Sequence, residues 1–136
     1  MNRSPLYYLK NPGSPDTILD VSKFTGSIFY VDSTHTGKGD TEGHGRTPDS
    51  PFATIEYAVQ FCTADKGDVI FVMPGHAETL GNESLVVNVA GVSVIGLGKG
   101  SKRALITHGH ASSEISIAAD NVTWQGIQHR AAITTI

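Results

Sequence analysis

The sequence is poor in cysteine, in charge and in long apolar runs, and each shortage excludes a class of protein. Its 136 residues contain one cysteine, Cys62, which rules out an internal disulfide. Only 17% of the residues are charged and the formal net charge is -3, so no basic field attracts nucleic acid or an anionic membrane surface. No apolar run is long enough to span a bilayer, and the N-terminal residues lack the apolar core of a secretory signal. We expect a chain that is made and folded in a reducing cytoplasm, with no nucleic-acid or membrane partner.

Glycine, by contrast, is abundant. The 15 glycines and the 39% hydrophobic content suit a turn-rich β protein with one modest core. We expect a single domain over residues 27–136, preceded by a different kind of segment.

An internal sequence repeat gives the best indication of architecture. Residues 85–97, LVVNVAGVSVIGL, are repeated thirty residues later at 115–127 as ISIAADNVTWQGI. Gly91 aligns with Asn121, and these two residue types most readily adopt a left-handed turn. The apolar residues on either side alternate with polar or small ones, as in strands. Stacked strand-turn-strand units predict an all-β solenoid, with structural turns at Gly91 and Asn121 and coils over about 68–136.

One amphipathic helix is predicted ahead of these units, over about residues 50–63. Asp49-Ser50-Pro51 has the composition of a helix start, and Phe52, Ile55 and Val59 share a helical face with Ala58 and Cys62. Such a helix can cover the open first coil, so Phe52, Ile55 and Val59 are predicted to form a cap.

Residues 1–26 form a predicted extended arm. They contain three prolines and no sustained period, yet they are too apolar for a solvated linker. The arm can pack back on its own domain or anchor the chain to another subunit. The residues predicted to make such contacts are Leu6, Tyr7, Tyr8, Leu9, Ile18, Leu19 and Phe24.

The stretch from Phe29 to Gly98 resembles a known family. It contains FYVDSTHTGKGDTEGHGRTPDSPFATIEYAV, then KGDVIFVMPGHAETL, then VAGVSVIGLG. These runs are similar to the opening of right-handed parallel β-helix proteins of the pectate-lyase-like type. The resemblance implies a right-handed parallel β-helix. It does not settle the function, because that fold serves lyases, hydrolases, adhesins and bacteriophage proteins.

The arm and the short length resemble bacteriophage virion proteins that carry a β-helix. This resemblance implies a structural protein on the virion surface, such as a capsid decoration, a head fibre or a tailspike base. Its expected partners are other capsid or tail proteins and further copies of itself, most simply as a homotrimer. Host surface polysaccharide is a further possible partner. The alternative is an enzyme, a polysaccharide lyase or hydrolase of bacterial surface carbohydrate.

Two groups of residues are candidate metal ligands. Acidic side chains and histidines occur along the loop from Asp32 to Asp49, but their spacing lacks the ordered alternation of a calcium loop. His108 and His110 can share a metal only if a third ligand such as His76 or His129 joins them. We assign no metal and no cofactor on this basis.

No catalytic residue is assigned either. Glu83 and Glu114 lie 31 residues apart and could stack on adjacent coils, while Asp68 and Glu78 bracket one strand. Lys99, Lys102 and Arg103 could act as a lyase base only by their proximity in sequence. The glycines at 96–100 resemble a phosphate loop, but the segment RALIT that follows is typical of a strand and not of a helix.

Overall fold

A computed structural model describes residues 25–132, and this part of the chain is mostly β. The all-β class expected from the sequence is therefore confirmed, while residues 1–24 of the predicted arm, with all of its predicted contact residues, lie outside the described residues. The described part contains nine strands and one α-helix. In chain order they are β1 (Ile28–Val31), α1 (Ile55–Val59), β2 (Val69–Val72), β3 (Ala77–Leu80), β4 (Ser84–Val87), β5 (Ser93–Gly96), β6 (Leu105–His108), β7 (Glu114–Ile117), β8 (Thr123–Gln125) and β9 (Gln128–Ala131).

The strands form three separate sheets in which every pair of neighbours is parallel. The sheet orders are β1-β2-β5-β8, β3-β6-β9 and β4-β7. From β2 onward the chain passes through the three sheets in the same rotation. Leu85 pairs with Ile115 and Val94 with Trp124, so the register has the thirty-residue spacing that the repeat predicts.

The core consists of inward side chains from successive parallel strands, stacked in columns. One column contains Phe29, Ile70, Val94 and Trp124, which are paired in register. Phe29, Ile70 and Val94 are buried, and Trp124 packs against the same cluster while partly exposed. Each strand has at most four residues and offers few inward side chains, so the apolar core exists only through this stacking.

The two turn residues of the repeat both have positive φ, 78° at Gly91 and 58° at Asn121. Their surroundings differ. A Cβ on Gly91 would lie 3.2 Å from Cα of Asp65, a backbone atom that cannot swing aside. Asn121 is exposed. The repeat therefore identifies an equivalent backbone turn but not an equivalent environment.

The helix is shorter than predicted and begins later. Residues 51–52 are extended, because the N–H of Phe52 donates to the carbonyl of Tyr30 and the N–H of Asp32 donates to the carbonyl of Phe52. The Asp40 carboxylate then accepts the N–H groups of Ala53 and Thr54. Thr54 is the N-cap, with its hydroxyl accepting the N–H of Tyr57, and the helix ends at Val59. The predicted start at Ser50-Pro51 was wrong because backbone bonds to β1 take precedence there over helix formation.

The apolar face of the helix is nevertheless buried. Phe52, Ile55 and Val59 are almost completely inaccessible, and α1 contacts β1, β2 and β4. Cys62 follows the helix end and is only partly buried. The helix and the extended residue before it thus form one apolar layer over the first strands.

We expect Ile55→Asp to lower the free energy of unfolding by about 3 kcal/mol or more, because it buries a carboxylate without a partner. Gln60→Asp, which adds the same group at an exposed position just after the helix, should change it by about 0.5 kcal/mol or less. Urea unfolding of the two variants measures the difference. Equal midpoints would show that the helix face does not belong to the core.

The two turns should respond differently to substitution. Asn121→Gly should be nearly neutral, whereas Asn121→Val should destabilise by about 1–3 kcal/mol, because a β-branched residue is strained at positive φ. Gly91→Asn should be less well tolerated than Asn121→Gly, because its Cβ meets Asp65. Thermal melts of these variants test both statements. Full tolerance of Asn121→Val would contradict the left-handed turn.

Candidate functional site

A cavity of about 320 Å³ opens between the start of α1 and strands β3 and β4. Residues from the loop after β1, from the helix start and from β3 and β4 contribute to its wall. The polar lining residues that matter below are Ser33, Thr54, Glu56, Glu78, Thr79 and Glu83. Three carboxylates, those of Glu56, Glu78 and Glu83, line this cavity.

A buried histidine holds the innermost of these carboxylates. The side chain of His76 is fully buried, and its Nδ1 accepts the N–H of Ser33 at 3.0 Å. That bond leaves the proton on Nε2, which donates to Oε2 of Glu78 at 2.7 Å. The N–H of Ile55, the first residue of α1, donates to the same oxygen at 2.9 Å. One imidazole and one carboxylate therefore join the loop after β1, the helix start and β3.

Local backbone structure fixes the position of His76. Gly75 has a φ of 87°, and the turn it forms closes with a bond from the N–H of His76 to the carbonyl of Met73. The carbonyl of His76 then accepts the N–H of Leu105. Because the ring has no access to solvent, His76 orients Glu78 and is not placed to exchange protons with a bound ligand.

The second oxygen of Glu78 has a different environment. Among residues 25–132 no group donates a hydrogen bond to Oε1, although the Glu78 side chain is only 11% exposed. The other charged residues lining the cavity, Glu56 and Glu83, are exposed glutamates, and no lysine, arginine or histidine lines it. The cavity therefore presents negative charge and hydrogen-bond acceptors.

The loop considered for calcium bonds mainly to itself. Asp32 Oδ1 accepts both the N–H and the hydroxyl of Thr34, and Asp40 accepts the helix-entry groups described above. His35 Nδ1 accepts the N–H of Gly37, and His44 Nδ1 bonds to the Thr41 hydroxyl. Across the described part of the chain no group of three or more histidine, cysteine, aspartate or glutamate side chains has an arrangement that could hold a metal ion.

The structure pairs His108 with His129 and not with His110. His108 Nε2 lies 3.2 Å from His129 Nδ1, and the indole N–H of Trp124 donates to His129 Nε2 at 3.1 Å. A metal bound at His129 Nδ1 would require a proton on Nε2, opposite the Trp124 donor, so this arrangement opposes metal binding. His110 instead accepts the N–H of Ser112.

The carboxylate pairs considered for catalysis are not formed. In the register Ser84 and not Glu83 lies opposite Glu114, and the Ser84 hydroxyl donates to the Glu114 carboxylate at 3.0 Å. Asp68 is buried and accepts the N–H groups of Ser27 and Thr63, which makes it a structural tie. The stacking of Glu83 on Glu114 was thus wrong by one residue, which moves a side chain to the opposite face of a strand.

The basic and nucleophilic candidates are also accounted for. Lys99, Lys102 and Arg103 are exposed around a short 3-10 turn, Gly100–Lys102, that leads into β6. The strand predicted after the glycines is therefore present. The long helix that a phosphate-binding loop requires does not follow these glycines. Burial, together with the nearby Asp68 carboxylate, raises the pKa of the Cys62 thiol to about 12. This thiol is not an activated nucleophile.

The His76–Glu78 pair was not found from the sequence. In the sequence, His76 is a candidate metal ligand and Glu78 is one half of a candidate carboxylate pair. Their spacing of two places both side chains on one side of an extended segment, which was the available signal. The bonds from Ser33 and Ile55 arise only from the fold.

No helix among residues 25–132 has the length and the apolar character needed to cross a membrane. Comparison of the chain with protein-family models, curated proteins and solved structures gave no significant match.

The pairing of His108 with His129 predicts that stability depends on pH. Burial, and secondly the nearby His108, lower the pKa of His129 from its ordinary value of 6.5. As the pH falls, His129 is therefore protonated in the unfolded chain before it is protonated in the folded chain. The contribution of neutral His129 to stability is complete above pH 6.5 and is lost as the pH falls through the folded-state pKa. In an NMR titration His108→Asn should raise the pKa of His129 without fully restoring it. His110→Asn should leave it unchanged, and a shift in that control would contradict the pairing.

Proposed function

We propose that the chain forms a right-handed parallel β-helix that serves as a structural component of a bacteriophage particle. The repeated passage through three parallel sheets and the thirty-residue register support the β-helix. The resemblance of residues 29–98 to the opening of such proteins supports the same fold. Right-handed crossovers are the general rule for parallel strands.

The observation that carries the structural function is the difference between the two ends of the sheets. The free side of β1 is occupied, because the N–H of Tyr30 donates to the carbonyl of Gly45 and the carbonyl of Tyr30 accepts the N–H of Phe52. Helix α1 covers the adjoining core, as a cap would. At the other end β7, β8 and β9 have no outer partner among the described residues. These edges can accept further strands, from the same polypeptide or from another chain.

The use of buried polar groups also supports a scaffold. Asp68 and His76 are buried and bond to backbone groups of distant segments, and Thr107 accepts a bond from Arg130 on the neighbouring strand. Each of these groups holds loops or strands in place. Buried polar groups that are satisfied in this way rigidify a core and specify its arrangement, which a scaffold requires.

In this proposal the protein sits on the virion surface as a capsid decoration, head fibre or tailspike base. It works as a homotrimer, and residues 1–26 attach it to other virion proteins. The described start of the domain limits where the arm can be cut. The hydroxyl of Thr25 donates to the carbonyl of Lys66, and the N–H of Ser27 donates to Asp68. The separable arm is therefore residues 1–24.

A carbohydrate-active enzyme is the second candidate, and the cavity with its fixed Glu78 favours it. The lining glutamates are unfavourable for an anionic polysaccharide, the usual substrate of a lyase, so a neutral glycan and hydrolysis would fit better. Incubation with host surface polysaccharide, followed by assays for reducing ends and for unsaturated products, distinguishes the two reactions. Turnover of either kind would favour the enzyme over the scaffold.

The scaffold proposal predicts a trimer that loses attachment when residues 1–24 are removed, while the remaining domain stays folded. Sedimentation velocity gives the mass, circular dichroism the fold, and cosedimentation with particles stripped of the protein gives the binding. A variant with Leu6, Tyr7 and Tyr8 changed to serine should fail to attach in the same way. A monomer whose truncated form still binds particles, or binds none in either form, would overturn the proposal.

A further inference from the structure

We propose that the open end of the strand stack binds the same end of a second copy of this chain across a two-fold axis. This inference goes beyond the proposed function and does not depend on it. It starts from the uneven height of the three sheets. Counted from β2, the sheets that end in β8 and β9 contain three strands each, whereas the sheet that ends in β7 contains two. Because the chain passes through the sheets in turn, β7, β8 and β9 form successive steps at this end.

A two-fold axis that passes through β8, perpendicular to the stack, fits these steps to themselves. It places β8 of one copy beside β8 of the other. It also exchanges the two remaining sheets, so the high β9 of each copy meets the low β7 of the other. All three strands then gain an antiparallel neighbour at once. A head-to-tail contact would need the free side of β1, which the backbone around Phe52 already occupies.

The free backbone groups have the spacing that this contact requires. The N–H groups of Ala118, Thr123 and Gln128 donate back to the preceding coil. Backbone groups of alternate residues point to opposite sides of a strand, so the groups of the residues between them point outward. Two outward residues on β7 can therefore exchange bonds with two on β9, and the middle residue of β8 can pair with its own copy. The outward residues are Ile115 and Ile117 on β7, Trp124 on β8, and His129 and Ala131 on β9.

The side chains on the core side of these strands lack a cover. Ile117 is paired with buried Val87, yet it is 46% exposed. Trp124 is paired with buried Val94 and is also partly exposed. Among residues 25–132 no further strand lies over either of them. In the two-fold arrangement Ile117 lies opposite His129 of the second copy and Trp124 lies opposite its own copy, so the uncovered side chains cover one another.

The outer faces of the same strands carry opposite charges. Glu114 on β7 and Arg130 on β9 are both exposed. Antiparallel pairing of residue 117 with residue 129 places Glu114 diagonally opposite Arg130 of the second copy, within reach of long side chains. Glu114 Oε1 accepts the Ser84 hydroxyl, and one Arg130 nitrogen donates to Thr107, which leaves the other oxygen and the other N–H groups for this contact. The two-fold axis creates the pair twice.

Sedimentation equilibrium of the full-length protein over a concentration series tests the contact, and the single tryptophan reports where it forms. We expect even-numbered assemblies and a blue shift of Trp124 emission that follows the mass, because Trp124 becomes buried at the axis. Ile117→Lys places a charge on the edge and should weaken association at least about tenfold. Gln60→Lys adds the same charge just after the helix and should leave association unchanged. A protein that stays monomeric up to about 1 mM, or that associates without a change in emission, would overturn the inference.

A charge exchange tests the two-fold arrangement itself. Arg130→Glu and Glu114→Arg each place like charges opposite one another, so each variant alone should associate at least about fivefold more weakly than the parent. An equimolar mixture of the two restores both opposite-charge pairs and should recover the parent's association. Circular dichroism checks that both variants fold. A mixture of folded variants that associates no better than either alone would contradict the arrangement.

Two further outcomes distinguish this inference from other occupants and from the proposed function. Protection of the Ile117 amide from hydrogen exchange at every concentration would show that a segment of the same chain covers β7, and would contradict the inference. A trimer that attaches to particles and never doubles to a hexamer would also contradict it, while leaving the proposed function in place. A dimer that attaches to no particle would support the end contact and contradict the proposed function.

Discussion

The fold depends on parallel stacking of side chains from strands that are too short to build a core alone. Each described strand has at most four residues. Phe29, Ile70 and Val94 become buried only because consecutive strands place them in one column. Burial therefore fixes the register of strand pairing, since a shift of one residue would turn every inward side chain outward.

Buried polar groups make this stacking specific where apolar packing alone would not. Asp68 holds the backbone just before β1 and the segment that follows the helix, and His76 with Glu78 fixes the helix to the turn before β3. Removal of one partner would leave the other buried without a hydrogen bond, at a penalty of about 1–3 kcal/mol. These ties connect segments that the apolar columns do not link. The cavity next to Glu78 is bounded by the same segments that these ties hold in place.

The sequence predicted what depends on local pattern. The alignment of Gly91 with Asn121 predicted two left-handed turns, because few residue types tolerate positive φ. The repeat likewise predicted the pairing of β4 with β7. Prediction from the sequence failed where distant contacts compete with local preference. Pro51 has the position of a helix start in the sequence, but bonds from Phe52 to β1 keep this stretch extended.

The polar strand β3 and the candidate site were harder to predict from the sequence. Strand β3, AETL, was not predicted, because two of its four side chains are polar and its stability comes from pairing with β6. The Glu78 site could not be predicted for the same reason. Its hydrogen bonds come from Ser33 through His76 and from Ile55, more than twenty residues away. Only the three-dimensional arrangement brings the two donors to one oxygen of Glu78.

The single cysteine offers a direct view of how this structure opens. Because burial and the nearby Asp68 carboxylate raise the pKa of the Cys62 thiol to about 12, alkylating reagents at neutral pH should react slowly with it in the native state and faster in molecules whose helix-end region has separated from the core. The rate of labelling thus counts excursions of that region without any added probe. A chain with two thiols would blur this signal, and this one has a single reporter beside the apolar layer that covers its first strands.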